Sequence, residues 1–227
     1  LHLNTLGKNM QVKMPASAAG IEAMEEATYR GVSINATVSF TVAQAVAVAE
    51  AVERGLNRRV AEGLSIDEMS PVCTIMIGRT DDWLKASCAK DNLVVDPEAL
   101  EWGGVAVIKE AYRIYQERGY RTRLLSAANR NHLHWSQLIG GDLCQTINYG
   151  WQKRLEHCNV EVRNYMSDPV PERWMQQLNT LPEFHKSFDE KGMVPEEFMQ
   201  YGGAQDTLRT FISGYEDLVK QIRSYMI

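Results

Sequence analysis

Runs of strand length and patterns of helical period alternate five times by residue 158. No other feature constrains the fold as strongly, because strands joined through intervening helices lie parallel in one sheet. The first unit opens at residues 11–16, QVKMPA, where alternation sets Val12 and Met14 on one face and Lys13 alone on the other. Pro15 has no N–H for a ladder and marks the strand end. Ser17 is the expected N-cap of a helix whose Ile21, Met24 and Thr28 share a face. Residues 32–40, VSINATVSF, read as a second strand with Asn35, Thr37 and Ser39 on one side and Ile34, Ala36 and Val38 on the other. Thr41 and Gln44 then read as a T-x-x-Q capping box opening a long Ala- and Val-rich helix towards Gly63.

Residues 71–78, PVCTIMIG, are nearly all apolar, the pattern of a strand covered on both faces. Helices are expected over 81–90 and 97–118, a fourth strand over 122–128, a short helix over 132–139 and a fifth strand over 142–147. The first ten residues read as a helix end and connector, with Gly7 as C-cap. Beyond residue 160, prolines at 169, 171, 182 and 195 punctuate helical patterns. The longest, over 204–225, carries Leu208, Phe211, Ile212, Tyr215, Leu218, Val219 and Ile222 on one stripe and is expected to dock on the body of the protein.

With 227 residues, 44% of them hydrophobic, the chain can bury a sizeable core. A net charge of -5 argues against a nucleic-acid face, while leaving room for a local anion pocket. The most apolar helical run, residues 42–52, is too short to span a bilayer, and the first residues lack the charged start and apolar centre of a signal peptide. Cys73, Cys88, Cys144 and Cys158 have no metal-ligand cadence and read as reduced thiols of a cytoplasmic protein. His132 and His134 read as helix-start or surface residues, Gly103 and Gly104 as a close helix contact, and Asp81 with Asp82 as a helix cap with Arg79 nearby.

Catalytic groups in parallel βα folds gather at the C-terminal ends of strands. Here those positions hold Lys13, Asn35, Thr37, Thr74, Arg79, Ala128 and Arg130. An amine, an amide, hydroxyls and two guanidinium groups suit a polyhydroxylated carbonyl compound bearing phosphate: the amine attacks the carbonyl and the arginines clamp the phosphate. Lys13 has a plainer alternative, a paired or snorkelling lysine on an otherwise apolar strand. Nucleophilic attack needs the neutral amine, and a lysine titrating near 10.4 supplies only about one in a thousand at neutral pH unless burial or a nearby cation helps.

Four motifs in order, VKMPAS around Lys13, RGVSINATVSFTVAQAVAVAEA with its N-x-T at Asn35 and Thr37, GRTDDW from Gly78, and YRTRLLSAANRN from Tyr120, resemble the transaldolases, Schiff-base aldolases on a (β/α)8 barrel. The resemblance spans most of residues 10–157. It implies an α/β fold in which residues 1–158 are the last five βα units of a TIM barrel and 159–227 a helical extension. It also implies that Lys13 forms the Schiff base, Thr37 holds the catalytic water, Asn35 contacts a substrate hydroxyl, Thr74 stands near the substrate and Arg79 and Arg130 bind phosphate. Substrates would be sugar phosphates, with no cofactor, metal, nucleic acid or membrane involved. The activity implied is transfer of a dihydroxyacetone unit. Fructose 6-phosphate aldolase-like cleavage and a non-catalytic sugar-phosphate-binding or scaffold module are the alternatives.

Two positions depart from the family pattern. Ala128 replaces a phosphate-binding serine, and Met76 stands where an aromatic residue is usual. The resemblance places the family's first-strand aspartate and third-strand glutamate upstream of Leu1. The expectation is therefore that three further units come from an N-terminal segment, a complementary fragment or another chain, or that the open edges pair in a homo-oligomer.

Overall fold

A computed structural model describes Gly7 and residues 9–226. The expected helix end before Gly7 lies outside the described residues. The architecture is α/β, a partial barrel of five parallel strands in sequence order: β1 (Val12–Pro15), β2 (Ile34–Ser39), β3 (Val72–Ile75), β4 (Arg123–Ser126) and β5 (Cys144–Gln145). Among the described residues β1 pairs only with β2 and β5 only with β4, so the sheet has two open edges.

The helices between strands bury one face each. Ser17 caps α1 (Ala18–Tyr29), its hydroxyl accepting the Gly20 N–H, and Ile21, Met24 and Thr28 are buried as expected. Next comes α2 (Val42–Ala61), followed after β3 by α3 (Ile77–Asp91), α4 (Pro97–Leu100) and α5 (Gly103–Arg118). The helix expected over 97–118 is thus two helices. It breaks at Glu101 and Trp102 because α5 must start where Gly104 meets α3: a Cβ on Gly104 would lie 2.2 Å from the Ile77 carbonyl oxygen. The close-contact reading of the paired glycines holds. Helix α3 begins at Ile77, inside the expected third strand, since β3 ends at Ile75 and Gly78 is pressed against the end of β4.

Shorter elements follow: α6 (Leu133–Ser136), α7 (Tyr149–Leu155), α8 (Glu172–Leu178), α9 (Pro182–Phe188), a 3-10 turn (Pro195–Gln200) and α10 (Gly202–Ser224). The helices after β5 add a second apolar cluster, in which Leu178, Leu181 and Phe184 pack on Leu84 and Ala106.

Two expectations are corrected here. Ser39 leaves the polar face of β2: Val38 takes a positive φ of 54°, the β2–β3 register shifts between Ala36 and Ser39, and Ser39 turns to the buried side beside Cys73. Helix α10 does not dock along its stripe. Only Gly203, Ala204 and Thr207 are buried, while Phe211 is 49% and Tyr215 68% exposed, because no described element lies under the last four turns.

Gln44 does more than the expected capping box. Thr41 does accept the Gln44 N–H, and the Gln44 Oε1 accepts from Phe40 N at 2.9 Å and from the Thr41 hydroxyl at 3.4 Å, while its Nε2 donates to the carbonyls of Ala16 and Val38. One buried amide therefore joins the ends of β1 and β2 to the start of α2. Gln44→Leu, similar in volume, orphans three buried backbone groups and is expected to destabilise the chain by about 3 kcal/mol or more in denaturant unfolding. A loss below about 1 kcal/mol would show that water or neighbouring groups replace these bonds.

Candidate functional site

Parallel register builds the site from the backbone outward. Lys13 pairs with Asn35 and Pro15 with Thr37, so Lys13 and Asn35 stand side by side on one face, with Thr37 one step nearer the strand ends. The Thr74 hydroxyl donates to Asn35 Oδ1 at 2.7 Å, which extends the row onto β3 and aims the Asn35 amide. The free Nδ2 of that amide reaches Gln11 Oε1 at 3.4 Å. Lys13 is exposed, on the open edge of the sheet; Thr74 is buried, and Asn35 and Thr37 lie between.

The two arginines follow β3 and β4. Arg79 sits in the first turn of α3, half-buried, with its Nη1 3.4 Å from Thr210 Oγ1 of α10. Arg130 follows Ala128, a non-glycine residue with φ of 66° that turns the chain at the end of β4. Gly78 packs the start of α3 on the loop after β4: a Cβ there would lie 1.7 Å from the Ala128 oxygen and 2.8 Å from Arg130 Cγ, so only hydrogen fits between them. The six expected residues thus lie on or just after four adjacent strands, but not all at the expected C-terminal ends: Lys13 and Asn35 are the second residues of β1 and β2, Thr37 and Thr74 stand further along β2 and β3, Arg79 is in α3 and Arg130 follows β4, with the amine at one side and the guanidinium groups at the other.

The acidic pair has different partners from those expected. Asp82 forms an ion pair with Arg130, 2.8 Å from Nη2 and 2.9 Å from Nε, and Asp81 faces neither arginine. Asp81 and His134 are completely buried and 2.7 Å apart, which corrects the surface reading of His134. Asp81 Oδ1 accepts the Gly104 N–H at 2.6 Å, capping α5 rather than its own helix, because α3 starts four residues before Asp81. Burial pushes the Asp81 carboxyl upward, and the hydrogen bonds from His134 and Gly104 oppose it. Asp81 and His134 are 53 residues apart, and no local periodicity marks them. The buried histidine beside an expected phosphate-binding arginine was the one available signal.

A second amine invites comparison. Lys109 of α5 lines a cavity of about 580 Å³ with Tyr112, Met166 and Phe188, and burial lowers its ammonium to about 8. Its Nζ donates to the carbonyls of Tyr165 at 2.8 Å and Asp168 at 2.6 Å, which ties the post-β5 loop to α5. Engaged in this way, and away from the strand ends, Lys109 acts as a loop staple.

The chain matches the family described as Transaldolase/Fructose-6-phosphate aldolase over residues 1–222. Three relatives show the range of similarity. The Transaldolase of Thiobacillus denitrificans is 35% identical over 112 residues, 48% of this chain and 30% of that protein. The Transaldolase of Neisseria gonorrhoeae is 30% identical over 141 residues, 60% of this chain and 38% of that protein. Transaldolase A of Pasteurella multocida is 28% identical over 207 residues, 91% of this chain and 56% of that protein. The chain spans from about a third to just over half the length of these relatives.

Proposed function

Because the chain belongs to the transaldolase/fructose-6-phosphate aldolase family, we propose that the assembled protein is a cytoplasmic enzyme that passes a dihydroxyacetone unit between sugar phosphates through an imine on Lys13. The observation that carries this reading is the row Lys13–Asn35–Thr74 across three strands with Arg79 and Arg130 in the segments that follow β3 and β4, an amine and two guanidinium groups on neighbouring βα units. Lys13 Nζ adds to the ketose carbonyl and water leaves, giving an iminium. The bond between the α and β carbons breaks, its electron pair moves into the iminium to give an enamine, and a base removes the proton of the β-hydroxyl, which becomes the aldehyde of the departing aldose. The resulting enamine adds to the aldehyde of the acceptor, and water held at Thr37 hydrolyses the new imine. Asn35 bonds a substrate hydroxyl and the arginines hold the phosphate.

Desolvation favours the neutral amine that this attack needs, and Lys13 stands exposed on β1. On the opposite face of the same edge strand, Val12, Met14, Ala27 and Val32 line an apolar groove between β1 and α1. We infer that further βα units occupy this edge in the working enzyme, cover Lys13 and bring the carboxylate that moves the proton. On that reading residues 1–227 alone self-associate through the open edges, and in any fraction that stays monomeric the amides of residues 10–14 exchange quickly. Light scattering and hydrogen exchange check this. A monodisperse monomer protected across residues 10–14 contradicts it.

Borohydride reduction in the presence of fructose 6-phosphate, followed by peptide mass spectrometry, tests the chemistry on a chain supplied with its covering units. Label on Lys13 is expected. Label on Lys109 would move the reaction to the cavity beside α5, and no label would remove the Schiff-base reading.

A further inference from the structure

Arg130 can serve a phosphate only if the loop after β4 holds its backbone still, and the structure contains a buried device that does so. His134 Nδ1 accepts the backbone N–H of Arg130 at 3.1 Å. A ring nitrogen that accepts carries no proton, so the imidazole proton is on Nε2, which faces Asp81 Oδ2 at 2.7 Å. Asp81 Oδ2 is therefore the acceptor of the pair, and the other carboxyl oxygen accepts the Gly104 N–H. The same loop is tied a second time, Asn131 Oδ1 accepting the His134 N–H at 3.2 Å.

We propose that the Asp81–His134 pair is a positioning device for Arg130: Asp81 holds His134 in the tautomer whose free Nδ1 fixes the Arg130 backbone, and this sets the guanidinium at the phosphate end of the site. The phosphate role of Arg130 rests on the function proposed above, whereas the tautomer and the backbone bond do not. Neither side chain touches substrate; both act through Arg130.

Asp81→Asn separates this device from simple packing. It preserves shape and puts an N–H opposite His134 Nε2, so the ring must move its proton to Nδ1, where it meets the Arg130 N–H donor to donor. Turning the amide the other way only transfers the clash to Gly104. His134→Asn is the counterpart, because its Oδ1 can stand near the former Nδ1 and still accept from Arg130 while the contact with Asp81 is lost. In the full chain, ring-nitrogen NMR reads the tautomer, amide exchange reads the Arg130 bond, and titration with inorganic phosphate reads the consequence.

The wild type is expected to carry its proton on Nε2. Asp81→Asn should shift it to Nδ1, speed Arg130 amide exchange and weaken phosphate binding by about tenfold, while His134→Asn should keep phosphate affinity within about threefold of wild type. A wild-type proton on Nδ1 overturns the proposal without any variant. Equal loss of phosphate binding in both variants also overturns it, since the pair would then be packing alone. A wild type that binds no phosphate and shows no borohydride label defeats the functional reading, and the tautomer with the amide exchange still decides whether the pair holds Arg130.

Discussion

Lys13→Met in the assembled enzyme abolishes the borohydride-stable adduct and lowers turnover by at least about three orders of magnitude. Methionine matches the length of lysine and keeps the apolar stem, so the strand and the α1 contacts survive. The nucleophile alone is lost. The position is strict because β1 register places only residue 13 beside Asn35, and Val12 and Met14 face the other way. Melting behaviour close to wild type, together with absent label, is the expected pairing. Retained turnover would mean that the amine beside Asn35 is a paired or snorkelling lysine and that the carbon-carbon chemistry belongs elsewhere.

Gly78→Ala is expected to be the most damaging of the single-methyl changes near the site. The added carbon would stand 1.7 Å from the Ala128 oxygen and 2.9 Å from its carbonyl carbon, and both are backbone atoms that cannot swing aside. Relief requires the α3 start and the β4 loop to separate by well over an ångström. That separation disturbs the β3–β4 ends and the contact that packs the start of α3 on the loop carrying Arg130. Overpacking of this kind costs about 3 kcal/mol or more, which for a chain of this size lowers Tm by roughly 6–12 °C. Phosphate affinity should fall with it. Gly214→Ala is the control, since a Cβ at that position on α10 meets nothing within 4 Å. Equal behaviour of the two variants would show that the loop gives way more easily than its backbone contacts imply.

The contrast between Lys13 and Lys109 shows why burial alone is a poor guide here. Lys109 lines the larger cavity and has the lowered ammonium, yet two backbone carbonyls take its protons and it faces the α5 side of the molecule. Lys13 has the neighbours that the chemistry needs, an amide at its side and arginines beyond the strand ends, but lacks a cover. A cover on β1 would change the environment of Lys13 without altering any of those neighbours.

The amino-acid sequence by itself determined the order of βα units, the face of β1 that carries Lys13, the shared face of Asn35 and Thr37 on β2 and the cap at Ser17. All of these follow from local rules, the twofold alternation of a strand and the side-chain capping of a helix, which act over a few residues. The tertiary structure decided what local rules cannot reach. It turned Ser39 inward through a bulge, split the helix over 97–118 where Gly104 meets α3, and paired Asp81 with His134 rather than with Arg79. It also left the α10 stripe exposed, because periodicity shows that a helix has an apolar face but not which element, if any, covers it. A contact between residues 53 apart depends on how whole elements pack, which no local rule along the chain can reach.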